Sequence, residues 1–102
     1  MYLINKLFND NTIRTVWDKE EEKYYISVVD VISVLTKSNR PRKYWSDLKN
    51  DLLKEDHEVS EKIGQLKLKA KDGKYRMTDV CDIEEMFRII ESIPSKNAEP
   101  IK

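Results

Sequence analysis

The sequence predicts a small, single-domain α+β fold whose elements follow the order hairpin, helix, helix, hairpin, helix (ββααββα). Three observations predict it. β-Branched and aromatic residues form short runs within residues 12–26 and 66–77, apolar residues recur at helical spacing between and after these runs, and 102 residues provide for one hydrophobic core. We therefore expect residues 1–102 to form one domain.

The first quarter of the chain predicts a hairpin that leads into a capped helix. The β-rich run 12–17 predicts one strand, and residues 23–26 predict its partner across a charged loop. Ser27 followed by Asp30 fits a variant of the capping box, in which the serine hydroxyl accepts from a first-turn N–H and the carboxylate reaches back to the cap. We expect the helix to cover residues 28–35.

A second helix is predicted to begin near Pro41, because proline is well tolerated at the first helical position. The preceding residues 36–39 are turn formers, and residues 56–60 show no period and are expected to form a loop. The apolar stripe of this helix consists of Tyr44, Trp45, Leu48 and Leu52. The polar residues beside that stripe are Arg42, Lys43, Ser46, Lys49 and Asn50.

The second hairpin is predicted from alternating apolar residues and lysines on either side of Asp72-Gly73. If these two residues are the whole turn, Lys69 pairs with Arg76, and Lys71 with Lys74, on one face. Lys67 then pairs with Thr78 on that face, while Leu68 with Met77 and Ala70 with Tyr75 share the other. Thr78 is the predicted N-cap of a third helix over residues 79–91, which has acidic residues in its first turn. Residues 95–102 are expected to be a flexible tail, and the chain an N-terminal fragment of a longer protein.

Composition argues against several classes of function. No apolar stretch approaches the roughly 20 residues that span a bilayer, so we expect a cytoplasmic protein without a membrane partner. Cys81 is the only cysteine and His57 the only histidine, which favours a buried structural thiol and a loop histidine over a metal site or a nucleophile. The acids Asp79, Asp82, Glu84 and Glu85 could be imagined as a nuclease metal site, but their expected place in a first helical turn already explains them. We therefore predict no enzymatic activity and no cofactor.

Nineteen basic and nineteen acidic residues cancel overall, but cations are concentrated in two segments. The first is the predicted second hairpin, where cations lie opposite one another and repel. A polyanion such as a phosphate backbone would reduce this repulsion. Lysines also protect exposed strand edges from aggregation, and both interpretations of the hairpin remain open. Its candidate DNA-binding residues are Lys67, Lys69, Lys71, Lys74 and Arg76.

The second basic segment surrounds the start of the second helix. A helix that follows a short helix and a turn, and that carries cations, is of the kind that enters a major groove. The usual turn glycine is missing, and Tyr44 with Trp45 is more typical of a core than of a base-stacking surface. The candidate DNA-binding residues here are Arg40, Arg42, Lys43 and Lys49.

Four ordered motifs resemble the Bro-N domain family, and most of all its subgroup of prophage antirepressors and DNA-damage-inducible protein D. They are Tyr-Ile-Ser-Val-Val-Asp-Val-Ile-Ser-Val-Leu (25–35), Pro-Arg-Lys-Tyr-Trp-Ser-Asp-Leu-Lys (41–49), Asp-Gly-Lys-Tyr-Arg-Met-Thr-Asp-Val (72–80) and Phe-Arg-Ile-Ile-Glu-Ser-Ile-Pro (87–94). The resemblance implies an N-terminal DNA-binding domain of a phage, viral or bacterial regulator. It departs from the family at residues 95–102, where Ser-Lys-Asn-Ala-Glu-Pro-Ile-Lys replaces the usual Ser-Pro-Lys-Ala-Glu-Pro-Phe-Lys and no further helix follows.

Two classes of function follow from these observations. The first is DNA binding in the regulation of transcription or of the response to DNA damage, through both basic segments. The second is a protein-interaction module that binds a repressor or another regulator without touching DNA, which zero net charge and the aromatic residues Trp17, Tyr24 and Tyr25 favour. A homo-oligomer is compatible with either.

Overall fold

The elements that the structure describes, three helices and a four-stranded antiparallel sheet, follow the predicted order ββααββα. The computed structural model describes residues 13–55 and 61–94, so predictions for Thr12, His57, the loop 56–60 and the tail 95–102 lie outside the described residues. The elements are β1 (Thr15–Asp18), β2 (Lys23–Ser27), α1 (Val28–Thr36), α2 (Pro41–Glu55), β3 (Gly64–Lys69), β4 (Tyr75–Cys81) and α3 (Ile83–Glu91). In these two segments no helix is both long and apolar enough to cross a bilayer.

The two hairpins form one sheet because the end of β2 pairs with the end of β4. Its strand order is β1-β2-β4-β3, and β2 meets β4 through only two residue pairs, Ile26 with Cys81 and Ser27 with Val80. These are the last residues of two antiparallel strands. The turn of the β1–β2 hairpin and the turn of the β3–β4 hairpin therefore point away from this junction in opposite directions.

The helices cover one face of the junction. Residues directly opposite on neighbouring strands share a face, so Ile26 and Cys81 both point to the side on which the core forms. Each aliphatic side chain fully buried there contributes about 1.5–3 kcal/mol relative to exposure. The helical members of the core include Val31, Ile32 and Leu35 of α1, Trp45 and Leu52 of α2, and Met86 and Ile89 of α3.

The predicted cap of α1 is wrong. Ser27 ends β2, is fully buried and makes no side-chain capping bond, and the Asp30 carboxylate instead forms an ion pair with Arg14. Pairing of Ser27 with Val80 holds the backbone in the sheet, and the guanidinium of Arg14 offers Asp30 a stronger, charged donor. The helix nevertheless begins at Val28, as predicted, and α2 begins at Pro41.

The predicted start of α3 is also wrong. Thr78 lies inside β4, opposite Leu66, and its hydroxyl donates to the carbonyl of Arg76 at 3.1 Å. Strand pairing with β3 and β2 extends the backbone as far as Cys81, three residues beyond the predicted cap. Asp82 caps the helix instead, since its Oδ1 accepts from the backbone N–H of Glu85 at 3.0 Å.

The register of the second hairpin differs from the prediction by one residue. The N–H of Ala70 donates to Lys74 at 2.8 Å, and the N–H of Gly73 donates to Ala70 at 2.9 Å, so three residues, 71–73, form the turn. Gly73 has φ +85°, the left-handed conformation that this longer turn requires. Lys69 therefore lies opposite Tyr75, Lys67 opposite Met77 and Leu68 opposite Arg76, and the predicted pairs of facing cations do not form.

Candidate functional site

A cleft of about 930 Å³ lies where the start of α2, the end of β3 and α1 meet. Both basic segments of the sequence contribute to it, although they are some thirty residues apart in the chain. We call it the basic cleft. Its charged lining residues are the cations Arg14, Arg42, Lys69, Lys71 and Arg76 and the acids Asp30 and Asp72.

Both acids of the basic cleft are already neutralised by ion pairs. Asp30 accepts from Arg14, and Asp72 pairs with Arg76 and also accepts from the backbone N–H of Lys74 at 3.0 Å. The Lys74 N–H, followed by the Arg76 guanidinium, holds the pKa of Asp72 below its usual value. The other three cations of the cleft, Arg42, Lys69 and Lys71, are exposed and form no ion pair with a described residue. An excess of positive charge therefore faces the cleft.

Arg14 holds the walls of the cleft together. Its Nε and Nη2 donate to the two carboxylate oxygens of Asp30 at 2.7 and 3.0 Å, and its backbone N–H donates to the same carboxylate at 3.0 Å. The remaining Nη1 donates to the carbonyl of Lys69 at 3.1 Å. This bidentate pair connects α1 to the end of β3, and no pattern in the sequence indicated it, because the partners lie 16 and 55 residues from Arg14.

One face of the β3–β4 hairpin exposes lysines beside large apolar side chains. Lys67 and Lys69 lie opposite Met77 and Tyr75, whose exposed fractions are 52% and 68%. Met77 and Tyr75 were predicted to share a face with Leu68 and Ala70, and the one-residue change in register places them beside Lys67 and Lys69 instead. Neither lysine forms an ion pair with a described residue. Lys74, the residue before β4, is also exposed.

Helix α2 carries its candidate DNA-binding cations mainly around its first turn, and its last turn holds one further exposed cation, Lys54. The carbonyl of Arg40 accepts from the N–H of Tyr44 at 3.0 Å, which places Arg40, Arg42 and Lys43 around the first turn. Lys43 pairs with Asp47 at 3.3 Å on the exposed surface. The later exposed positions of the helix include the acids Asp47, Asp51 and Glu55. Only its first turn therefore suits contact with a polyanion.

Lys49, the remaining predicted cation of α2, is held inward. Its Nζ lies 2.9 Å from Asp79, which also accepts from Trp45 Nε1 at 2.9 Å and from Gln65 Nε2 at 3.0 Å. This cluster joins α2 to both strands of the second hairpin. Burial would raise the pKa of Asp79, but the three hydrogen bonds outweigh it and lower the pKa below its usual value.

Cys81 and the acidic side chains are the described residues that could serve as a nucleophile or as metal ligands. Cys81 is fully buried, as predicted for a structural thiol, and burial raises its pKa, with the nearby Asp82 and Glu85 adding to the effect. Residues 13–55 and 61–94 hold no group of three or more histidine, cysteine or acidic side chains placed to bind a metal ion.

No protein-family model, curated protein or solved structure matches this chain. The resemblance to the Bro-N domain stays a prediction from the sequence motifs.

Proposed function

We propose that this chain is a DNA-binding regulatory domain of the antirepressor or DNA-damage-response type that acts in the bacterial cytoplasm. One observation carries the proposal, namely that Arg42 from one basic segment and Lys69, Lys71 and Arg76 from the other line the basic cleft, whose two acids are paired with arginines. Arg42, Lys69 and Lys71 are the residues that meet phosphate oxygens. Arg14 and Arg76 have positioning roles, because their guanidinium groups are engaged with Asp30 and Asp72.

DNA binding through the basic cleft should weaken by a predictable amount as the salt concentration rises. Each phosphate that is neutralised releases condensed counterions, so the slope of log affinity against log salt changes by about −0.9 per contact on duplex DNA. Three phosphate contacts within the basic cleft therefore contribute about −2.7 to that slope. The first turn of α2 and the β3–β4 hairpin lie on either side of the cleft, as expected if one backbone segment passes between them.

The test is fluorescence anisotropy of a labelled mixed-sequence duplex titrated with the protein at low and moderate salt. The variant Arg42→Ala, Lys69→Ala, Lys71→Ala should lose most of the binding and most of the salt dependence. The control variant Lys19→Ala, Lys54→Ala, Lys62→Ala removes the same charge from exposed positions that do not line the cleft, and should bind as the parent does. Absence of binding at low salt, or equal losses in both variants, would overturn the proposal.

A protein-interaction module is the second candidate, and the exposed apolar side chains favour it. Trp17 and Tyr24 are each 47% exposed, and Tyr75 and Met77 more so. Aromatic and methionine side chains are enriched at the centres of protein interfaces. Such an interface would retain its affinity as salt rises, whereas binding through phosphates would not. Pull-down with a candidate repressor at moderate salt distinguishes this function from DNA binding.

A further inference from the structure

The two hairpins carry opposite charge at opposite ends of the sheet. We call the β1–β2 hairpin the acidic arm and the β3–β4 hairpin the basic arm. Four of the five residues 18–22 in the acidic arm are acids. The Asp18 carboxylate is used within the turn, where it accepts from the N–H groups of Glu20 and Glu21, and the Glu21 carboxylate accepts from the Tyr25 hydroxyl. The exposed Glu20 and Glu22 form no ion pair with a described residue.

Each arm also exposes apolar side chains next to its charges. In the acidic arm Trp17 lies opposite Tyr24, and their rings make an edge contact with centroids 4.9 Å apart. In the basic arm the exposed pair is Tyr75 and Met77, beside Lys69 and Lys67. Each arm therefore combines two exposed apolar side chains with a net charge of one sign, because Lys19 and Lys23 do not balance the acids of one arm and Asp72 and Asp79 do not balance the cations of the other.

The exposed apolar side chains of both arms lie on the same face of the sheet. Counting in steps of two from the paired residues Ile26 and Cys81 leads to Tyr24 and Trp17 in one direction and to Met77 and Tyr75 in the other. The helices cover this face at the junction, and the arms extend beyond them at both ends. Because the turns point in opposite directions, the two arms of one molecule do not meet each other.

We propose that the acidic arm of one molecule binds the basic arm of a second copy of this chain. Glu20 and Glu22 face Lys67 and Lys69 across the contact, while the Trp17 and Tyr24 rings pack against Tyr75 and Met77. Aromatic pairs and methionine–aromatic contacts are favourable beyond the apolar area that they bury. Charge complementarity points to a second copy as the partner, since the basic arm offers cations beside apolar side chains and the acidic arm offers acids beside aromatic rings.

The proposed contact is small and charged, which determines its expected strength. Interfaces below the standard size are weak and transient, so association should appear at high micromolar protein and low salt. Salt weakens it because the paired charges are exposed and screened. Lys67 and Lys69 cannot bind a phosphate backbone and a second copy at once, but the contact between copies does not depend on DNA binding.

Sedimentation velocity of the full chain over a range of concentrations at low salt tests the proposal with two charge-reversed variants. The acidic-arm variant is Glu20→Lys, Glu22→Lys and the basic-arm variant is Lys67→Glu, Lys69→Glu. The weight-average sedimentation coefficient of the parent should rise with protein concentration. Each variant alone should associate at least about tenfold more weakly, because its two arms carry like charges. An equimolar mixture of the two variants should regain association, because opposite charges then meet in both contacts.

The controls separate this contact from other causes. The variant Lys54→Glu, Lys62→Glu changes the net charge as the basic-arm variant does, at exposed positions outside both arms, and should associate as the parent does. Circular dichroism of every variant should match the parent, since all changed side chains are exposed. A parent that stays monomeric, an acidic-arm or basic-arm variant that associates like the parent, or a mixture of these two variants that stays monomeric overturns the proposal. The acidic-arm variant keeps the basic cleft, so loss of DNA binding there would count against the proposed function instead.

Discussion

Asp79 shows how one side chain can change its role when the chain folds. In the sequence it stands among acids that suit a first helical turn, and in the structure it lies in β4 and accepts hydrogen bonds from Trp45, Lys49 and Gln65. The charged donor and the two neutral donors compensate for the cost of burying the carboxylate. Asp79 thus attaches α2 to the second hairpin, and it removes Lys49 from the surface proposed to bind DNA.

We expect Asp79→Asn to lower the free energy of unfolding at neutral pH by roughly 1–3 kcal/mol, because the charged partner of Lys49 is lost. The pKa of Asp79 is lowered in the folded state, so its ionised form stabilises the fold above the unfolded pKa of about 3.9. That contribution is lost as the pH falls below this value toward the folded pKa. Urea unfolding at several pH values should therefore show a smaller acid-induced loss of stability in the variant.

The exposed pair of Lys43 with Asp47 provides the matched control. Asp47→Asn also removes a carboxylate from a lysine, but both side chains are more than half exposed. Exposed pairs of this kind contribute about 0–1 kcal/mol. Equal losses in Asp47→Asn and Asp79→Asn would show that the buried cluster has no special role.

At the scale of elements, the turn of the basic arm decides which side chains become the surface. The alternation of lysines with apolar residues indicates a hairpin. A two-residue turn and a three-residue turn, however, pair each residue of one strand with a different residue of the other. The turn 71–73 closes with Gly73 at φ +85° and with Asp72 accepting from the N–H of Lys74. As a result Tyr75 and Met77 are exposed beside Lys69 and Lys67.

We expect Gly73→Ala to destabilise the protein by about 1–2 kcal/mol, because a residue with a Cβ is strained in the left-handed region. Gly64→Ala is the control, since its Cβ would lie 3.9 Å from Val80 Cγ2, an ordinary contact, and its φ is not positive. That change should alter the stability by no more than about 0.5 kcal/mol. Thermal or urea midpoints measure both, and a larger loss at Gly64 would contradict the turn geometry.

At the scale of the whole molecule, the three described helices and the sheet junction contribute to one core. Trp45 is 5% exposed within that core, whereas Trp17 is 47% exposed on the acidic arm. A single shared core predicts one cooperative unfolding transition, as in most domains of this size. Far-ultraviolet circular dichroism and tryptophan fluorescence should then give the same midpoint.

The two tryptophans make this prediction specific. Most of the change in fluorescence on unfolding should come from Trp45, so Trp17→Phe should retain a transition with the same midpoint in both signals. Non-coincident midpoints in the parent would show that part of the molecule, such as an arm beyond the helices, unfolds by itself.

Local rules predicted the order and type of all the elements and the start of α2 at Pro41, because strand propensity, helical periodicity and proline geometry act within a few residues. The same rules failed at Ser27, Thr78 and the turn at Asp72-Gly73. In the first two cases strand pairing with a distant segment overrode a good local cap, and in the third a longer turn was available to the same residues.

The sequence by itself determined the fold class, the two basic segments and the buried state of Cys81, since each depends on composition or on spacing along the chain. Only the tertiary structure decided that Arg42 lies across a cleft from Lys69 and Lys71, that Arg14 joins their walls and that Lys49 turns inward. It also decided that the two arms point in opposite directions. These features depend on contacts between residues far apart in the chain, which form only when the core brings helices and sheet together.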